Sequence, residues 1–128
     1  VFLAARIVEN TSCYLRASVY SLHMTKAMFE TVVNVTAKHL ELSPIRVVWG
    51  DTCRAEAFTD EGYITMPKWI LTKSETIATY MAVHEVTHFC EGGIHHGKKF
   101  RKYEDAALKF WGISITRNGP YPVDIRKI

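Results

Sequence analysis

The sequence predicts an α+β domain in which a small, mostly antiparallel three-stranded sheet packs against a buried helix and further helices. Three observations predict it: apolar residues recur at helical spacing over residues 25–40, 74–90 and 98–111, short β-branched and aromatic runs fill residues 45–66, and glycine or proline stands where the pattern changes. At 128 residues, 48% hydrophobic and 23% charged, the chain can bury one core without a disulfide framework, so a single domain over 1–128 is expected, with 112–128 as an extended C-terminal tail. No apolar run approaches the ~20 residues that span a bilayer, and a monomer without membrane contact is expected.

Residues 1–20 carry apolar side chains at Leu3, Ile7, Tyr14, Leu15, Val19 and Tyr20 around a polar break, which fits two short helical turns or one broken helix. Thr25 is placed to cap a helix running to about Leu40, with Met28, Val32, Val35 and His39 in one stripe and Phe29, Val33 and Leu40 widening it. Pro44 would end that helix, because the residue before proline is pushed out of the helical region. Ile45–Trp49 is β-rich and Gly50–Asp51 turn the chain; Arg54–Phe58 alternates weakly, and Tyr63–Met66 is a short strand closed by Pro67. Trp69–Leu71 form an anchoring turn. Ser74 then caps a helix carrying Ile77, Tyr80, Met81, His84 and His88, which Gly92 and Gly93 stop. A second helix from about Lys98 to Trp111 has Phe100, Tyr103, Ala107, Phe110 and Trp111 at helical spacing, and the proline-containing tail reads as a loop with short β pieces.

Within the 74–90 helix, His84, Glu85 and His88 form the pattern HExxH. Histidines four apart lie one turn apart on one helix face, so both imidazoles can hold one metal ion while the glutamate reaches a water at that ion. Glu85 is therefore the candidate general base and His84 and His88 are candidate ligands of one Zn2+. A catalytic zinc site takes a third protein ligand. The Gly92–Gly93 break can carry the chain back, which makes His95, His96 and Glu104 the candidates, with Glu91, on the turn just beyond the histidines, the weakest; spacing alone does not choose between His95 and His96. His95, Tyr80 and Tyr103 are the side chains considered for stabilising an oxyanion.

The stretch from Ile45 to Phe100 resembles the small SprT-like and YgjP-type (WLM) zinc metallopeptidases, a zincin-like, gluzincin-related group. It does so in Gly62–Met66 before HEVTH and in His96, Gly97, Lys98, Lys99 and Phe100 as an HGxxF stretch after it. The resemblance implies peptide-bond hydrolysis, His96 as the third ligand, and an extended polypeptide laid along an edge strand, for which Tyr63, Ile64, Thr65 and Met66 are the candidates. Glu91 and Ile94 stand where the metzincin pattern has glycine and histidine, and the DTCRA stretch around Cys53 does not match the cysteine motif of peptide deformylases.

The resemblance also implies a link to DNA, with Lys98, Lys99, Arg101 and Lys102 as candidate phosphate contacts; a solvated face balanced by Glu104 and Asp105 is the favoured reading. Cys13, Cys53 and Cys90 are odd in number and widely spaced, and VFLAAR lacks the order of a secretory signal, so an intracellular, reducing setting is expected. A binding module with a structural or masked zinc is the second class of function. In that reading the tail after Trp111 lies across the cleft.

Overall fold

The computed structural model of the chain describes residues 23–119 and 121–128, so the turns expected over residues 1–20 lie outside it. Helix α1 (Lys26–His39) starts where expected: the Thr25 hydroxyl accepts the Met28 amide at 3.1 Å. Its buried face is Phe29, Val32, Val33, Thr36 and Ala37, rotated from the expected stripe, and His39 is exposed and stacks on Phe110. Thr36 can be buried because its hydroxyl is satisfied twice, donating to the Val32 carbonyl at 2.7 Å and accepting from Trp111 Nε1 at 2.8 Å. Asn34 ties the helix to the first strand, accepting from the Ile45 amide at 2.8 Å and donating to the Ile45 carbonyl at 3.1 Å.

Strands β1 (Arg46–Gly50), β2 (Glu56–Phe58) and β3 (Tyr63–Pro67) form the sheet in the order β1-β3-β2. The expectation of a mostly antiparallel sheet is corrected here, because β2–β3 is antiparallel but β1–β3 is parallel, with Arg46 opposite Tyr63 and Trp49 opposite Met66. The short turn between β2 and β3, closed by the Gly62 amide on the Phe58 carbonyl at 2.9 Å, forces an antiparallel hairpin. β1 then takes the remaining edge of β3 and runs parallel to it. Ile64 and Met66 point into the core at 0% exposure, while on the other face Phe58 stacks on Tyr63 and the Arg46 guanidinium lies over the Tyr63 ring.

A short 3₁₀ turn (Lys68–Thr72) anchors through buried Ile70 and leaves Trp69 exposed. Helix α2 (Glu75–Thr87) is capped by Ser74, whose hydroxyl accepts the Ile77 amide at 3.3 Å. It packs against α1, β2, helix α3 (Lys98–Phe110) and strand β5 (Tyr121–Lys127), so Ala78, Thr79, Ala82, Val83, Val86 and Thr87 are all buried. The chain after α3 is not an extended tail. Strands β4 (Ile113–Asn118) and β5 pair as an antiparallel hairpin, with β4 against α3 and β5 against α2, and Ile113, Ile115 and Ile125 join the core. No described helix is long and apolar enough to cross a membrane.

Candidate metal centre

The Ser74 cap sets the register of α2 so that His84 and His88 fall in its closing turns. His88 is the C-cap residue but keeps helical angles (φ −60°, ψ −19°), which preserves the one-turn relation between the two rings. Gly92, at φ 73°, then reverses the chain, and Gly93 lies so close to the helix end that an added Cβ would sit 2.5 Å from the Thr87 carbonyl and 2.9 Å from that of His88. The Gly93 carbonyl meets His88 Nδ1 at 2.6 Å. Gly93→Ala is expected to cost about 1–3 kcal/mol in thermal unfolding, because backbone oxygens at that distance must move, and to weaken metal binding through displacement of His88.

Among the described residues, His84, His88 and His96 form the cluster able to hold a metal ion, with one nitrogen from each lying within 4.8 Å of the others. Second partners fix two of the three tautomers. A carbonyl only accepts, so His88 Nδ1 carries the proton shared with Gly93; likewise His84 Nδ1, 2.7 Å from Glu104 Oε2, donates to that carboxylate. The Nε2 lone pairs of both are left to converge. His84 Nε2 and His96 Nε2 are 3.2 Å apart, close to the ~3.3 Å between two nitrogens each ~2.05 Å from a tetrahedral zinc. Phe100, 1% exposed, forms the floor under all three rings, with centroid separations of 5.1 Å to His84 and 4.8 Å to His88 and His96.

Burial lowers the His88 pKa below its ordinary value against the opposing Gly93 hydrogen bond, and burial with the neighbouring His84 lowers that of His96. Both shifts favour the neutral rings that a metal needs. Glu85 is 5% exposed, and burial pushes its carboxyl up to about 7 against the attraction of His84, with Glu56 and Glu104 adding repulsion. A buried carboxyl that titrates near neutrality in a cleft suits proton transfer.

The other expected ligands lie elsewhere. His95 is exposed and outside the cluster. Glu104, an alternative third ligand, lies outside the histidine cluster: one oxygen accepts from His84 Nδ1, and the other accepts from Arg117 at 2.6 Å. Burial opposes ionisation of Glu104, but these two hydrogen bonds outweigh it and hold the carboxyl below its usual range.

The cleft over the histidines is lined by Arg54–Ala57, Thr59, Glu85 and Ile94 as well as the three rings. The candidate substrate edge Tyr63, Ile64, Thr65 and Met66 is corrected, since β3 is the central strand and both its sides are paired; β2 is the edge strand beside the cleft. Neither Tyr80 nor Tyr103 lines the cleft, nor does His95, and the Tyr80 hydroxyl instead lies 3.3 Å from His84 Nδ1. No described residue of the hairpin lines the cleft. The basic run is divided: Lys99 pairs with Glu91 at 2.8 Å, and Arg101 donates to the Gly119 carbonyl. Cys53 lies beside Gly50, outside the histidine cluster. Arg54, Ala57 and Ile94 are cleft residues that sequence reading missed. Ile94 at 73% exposure was legible only as an apolar residue in a glycine- and histidine-rich loop.

The fold is similar to that of one solved metallopeptidase. A similar solved structure is the metallopeptidase zymogen abylysin from Pyrococcus abyssi, with a TM-score of 0.56 and 21% identity, covering 61% of this chain and 77% of that one. No family model and no curated protein matches the sequence. The likeness to SprT-like proteins thus rests on the motifs alone.

Proposed function

We propose that the chain is a zinc-dependent peptidase that hydrolyses polypeptide in extended conformation, with His84, His88 and His96 holding one Zn2+ and Glu85 acting as general base. The observation that carries this reading is the convergence of the three ligand nitrogens within 4.8 Å beside a buried glutamate, two of them with the proton committed to the opposite ring nitrogen. The donor set fits zinc, which takes three histidines in catalytic sites and leaves a position open. When bound, the ion supplies Lewis acidity and lowers the pKa of water towards ~7.

The residues of the chain do the rest. Glu85, buried beside the three rings, takes a proton from the attacking water and returns it to the leaving amine. The open edge of β2 offers main-chain groups to an extended substrate, and such pairing tolerates many sequences. Ala55 and Ala57 add small side chains to the lining of the cleft, and exposed Ile94 adds an apolar one.

The test is hydrolysis of an unfolded polypeptide by protein whose metal has been measured. About one zinc per chain, cleavage abolished by a chelator and cleavage restored by added zinc are expected. Cleavage that survives complete removal of metal would sink the proposal.

A further inference from the structure

We infer that Arg117, on the C-terminal hairpin, is a positioning residue for the histidine cluster, holding Glu104 so that His84 presents Nε2 to the ion. The inference rests on the metal-site reading above. A chain of contacts runs from His84 away from the cleft: His84 Nδ1 to Glu104 Oε2 at 2.7 Å, Glu104 Oε1 to the Arg117 guanidinium at 2.6 Å, and the same guanidinium nitrogen to Asp105 Oδ1 at 2.8 Å.

The geometry gives each link one task. Glu104 is 1% exposed, so its two oxygens depend on partners from the protein, and each has one donor. A carboxylate fixed at a single oxygen can rotate about its last side-chain bond; fixed at both, its plane is set, and with it the direction in which His84 is pulled. Carboxylates that hold a ligating histidine in this way set its tautomer and orientation. Arg117 does for Glu104 what Glu104 does for His84.

The placement of Arg117 is that of an inward-facing residue. Alternation along β4 points Ile113, Ile115 and Arg117 to the same side, the first two into the core. An arginine in the third place of an apolar row needs a buried partner, and Glu104 is that partner. The pairing register also shifts between Thr116 and Arg117, so that Arg117 stands opposite Pro122, and such irregularities re-aim side chains. The hairpin therefore reaches the metal site from behind, without entering the cleft.

Zinc affinity, measured by chelator competition on the full chain, tests this with Arg117→Gln, Glu104→Gln and the double variant. Arg126→Gln, at a hairpin arginine whose side chain is 77% exposed, is the control. Arg117→Gln is expected to lose about tenfold or more in affinity, within the range for groups that support a ligand, and to broaden the His84 imidazole resonances of the zinc-loaded protein. The double variant is expected to bind as Glu104→Gln alone does, because Arg117 acts through Glu104. Wild-type affinity in Arg117→Gln, or losses that add in the double variant, would overturn the inference. Should Arg117→Gln not fold alone, the double variant removes both buried charges and decides by comparison with Glu104→Gln. Absence of zinc binding by the wild type would instead overturn the metal-site reading beneath it.

Discussion

Glu85→Gln is expected to retain zinc and to lower peptide hydrolysis by about two to four orders of magnitude, the usual contribution of a positioned general base. Glutamine keeps the shape and a carbonyl oxygen but cannot take a proton. Metal analysis and turnover on the same sample check both halves, and an unchanged rate would remove Glu85 from the reaction. The same substitution has a second signature in metal-free protein. The folded carboxyl titrates near 7 and the unfolded one near 4.5, because burial favours the protonated form. The stability this gives is full below about 4.5, falls as pH rises towards about 7 and is level above that. At pH 8, metal-free Glu85→Gln should therefore be more stable than wild type by on the order of 3 kcal/mol, and at pH 4 the two should converge. Equal melting temperatures at pH 8 would contradict the raised pKa. A buried carboxylate that destabilises the metal-free fold is a group whose cost the rest of the core offsets.

Helices were the legible part of the fold, because their signals are local. Thr25 and Ser74 cap the helices that their positions announce, whereas α2 ends at Thr87 with His88 as its cap, four residues short of the first glycine expected to stop it. Sheet order was not legible. Alternation in Tyr63–Met66 shows a strand with one buried face, but nothing in it says whether one or two neighbours pair with its backbone, and β3 has two. The tail misled for a related reason, since Pro120 and Pro122 read as loop residues. Yet β5 includes Pro122 as part of a two-stranded ribbon, where a missing donor can face outward.

At the site, HExxH carries its own geometry because four residues make about one turn. Glu104 shows the limit of such spacing. Its distance along the chain suits a ligand, but which edge of His84 it meets depends on how α3 crosses α2, and that is set by the buried face of α3, with Phe100, Ala107 and Leu108. One signal for Arg117 was present: a glutamate in line with the apolar face of α3 needs a cation nearby, and the hairpin supplies it.

His96→Ala is expected to lower zinc affinity by more than about 100-fold, beyond what loss of a merely supporting group costs, while His95→Ala changes it little. The adjacent histidines separate cleanly because their side chains diverge: His96 Nε2 reaches 3.2 Å from His84 Nε2 and packs on Phe100, whereas His95 is exposed. Both substitutions fall in an exposed loop before α3, so unfolding of the metal-free proteins should change by no more than about 1 kcal/mol, His96→Ala losing only its contact with Phe100. The pair is thus an internal control, with the same residue type, the same loop and the same change in volume. Competition with a chromogenic chelator gives both affinities in one titration. Loss at His95 with retention at His96 would reverse the assignment, and equal small losses at both would mean that the third ligand lies outside this loop. Cobalt in place of zinc adds a geometric check, since a four-coordinate site gives a strong visible spectrum that should collapse in His96→Ala and persist in His95→Ala.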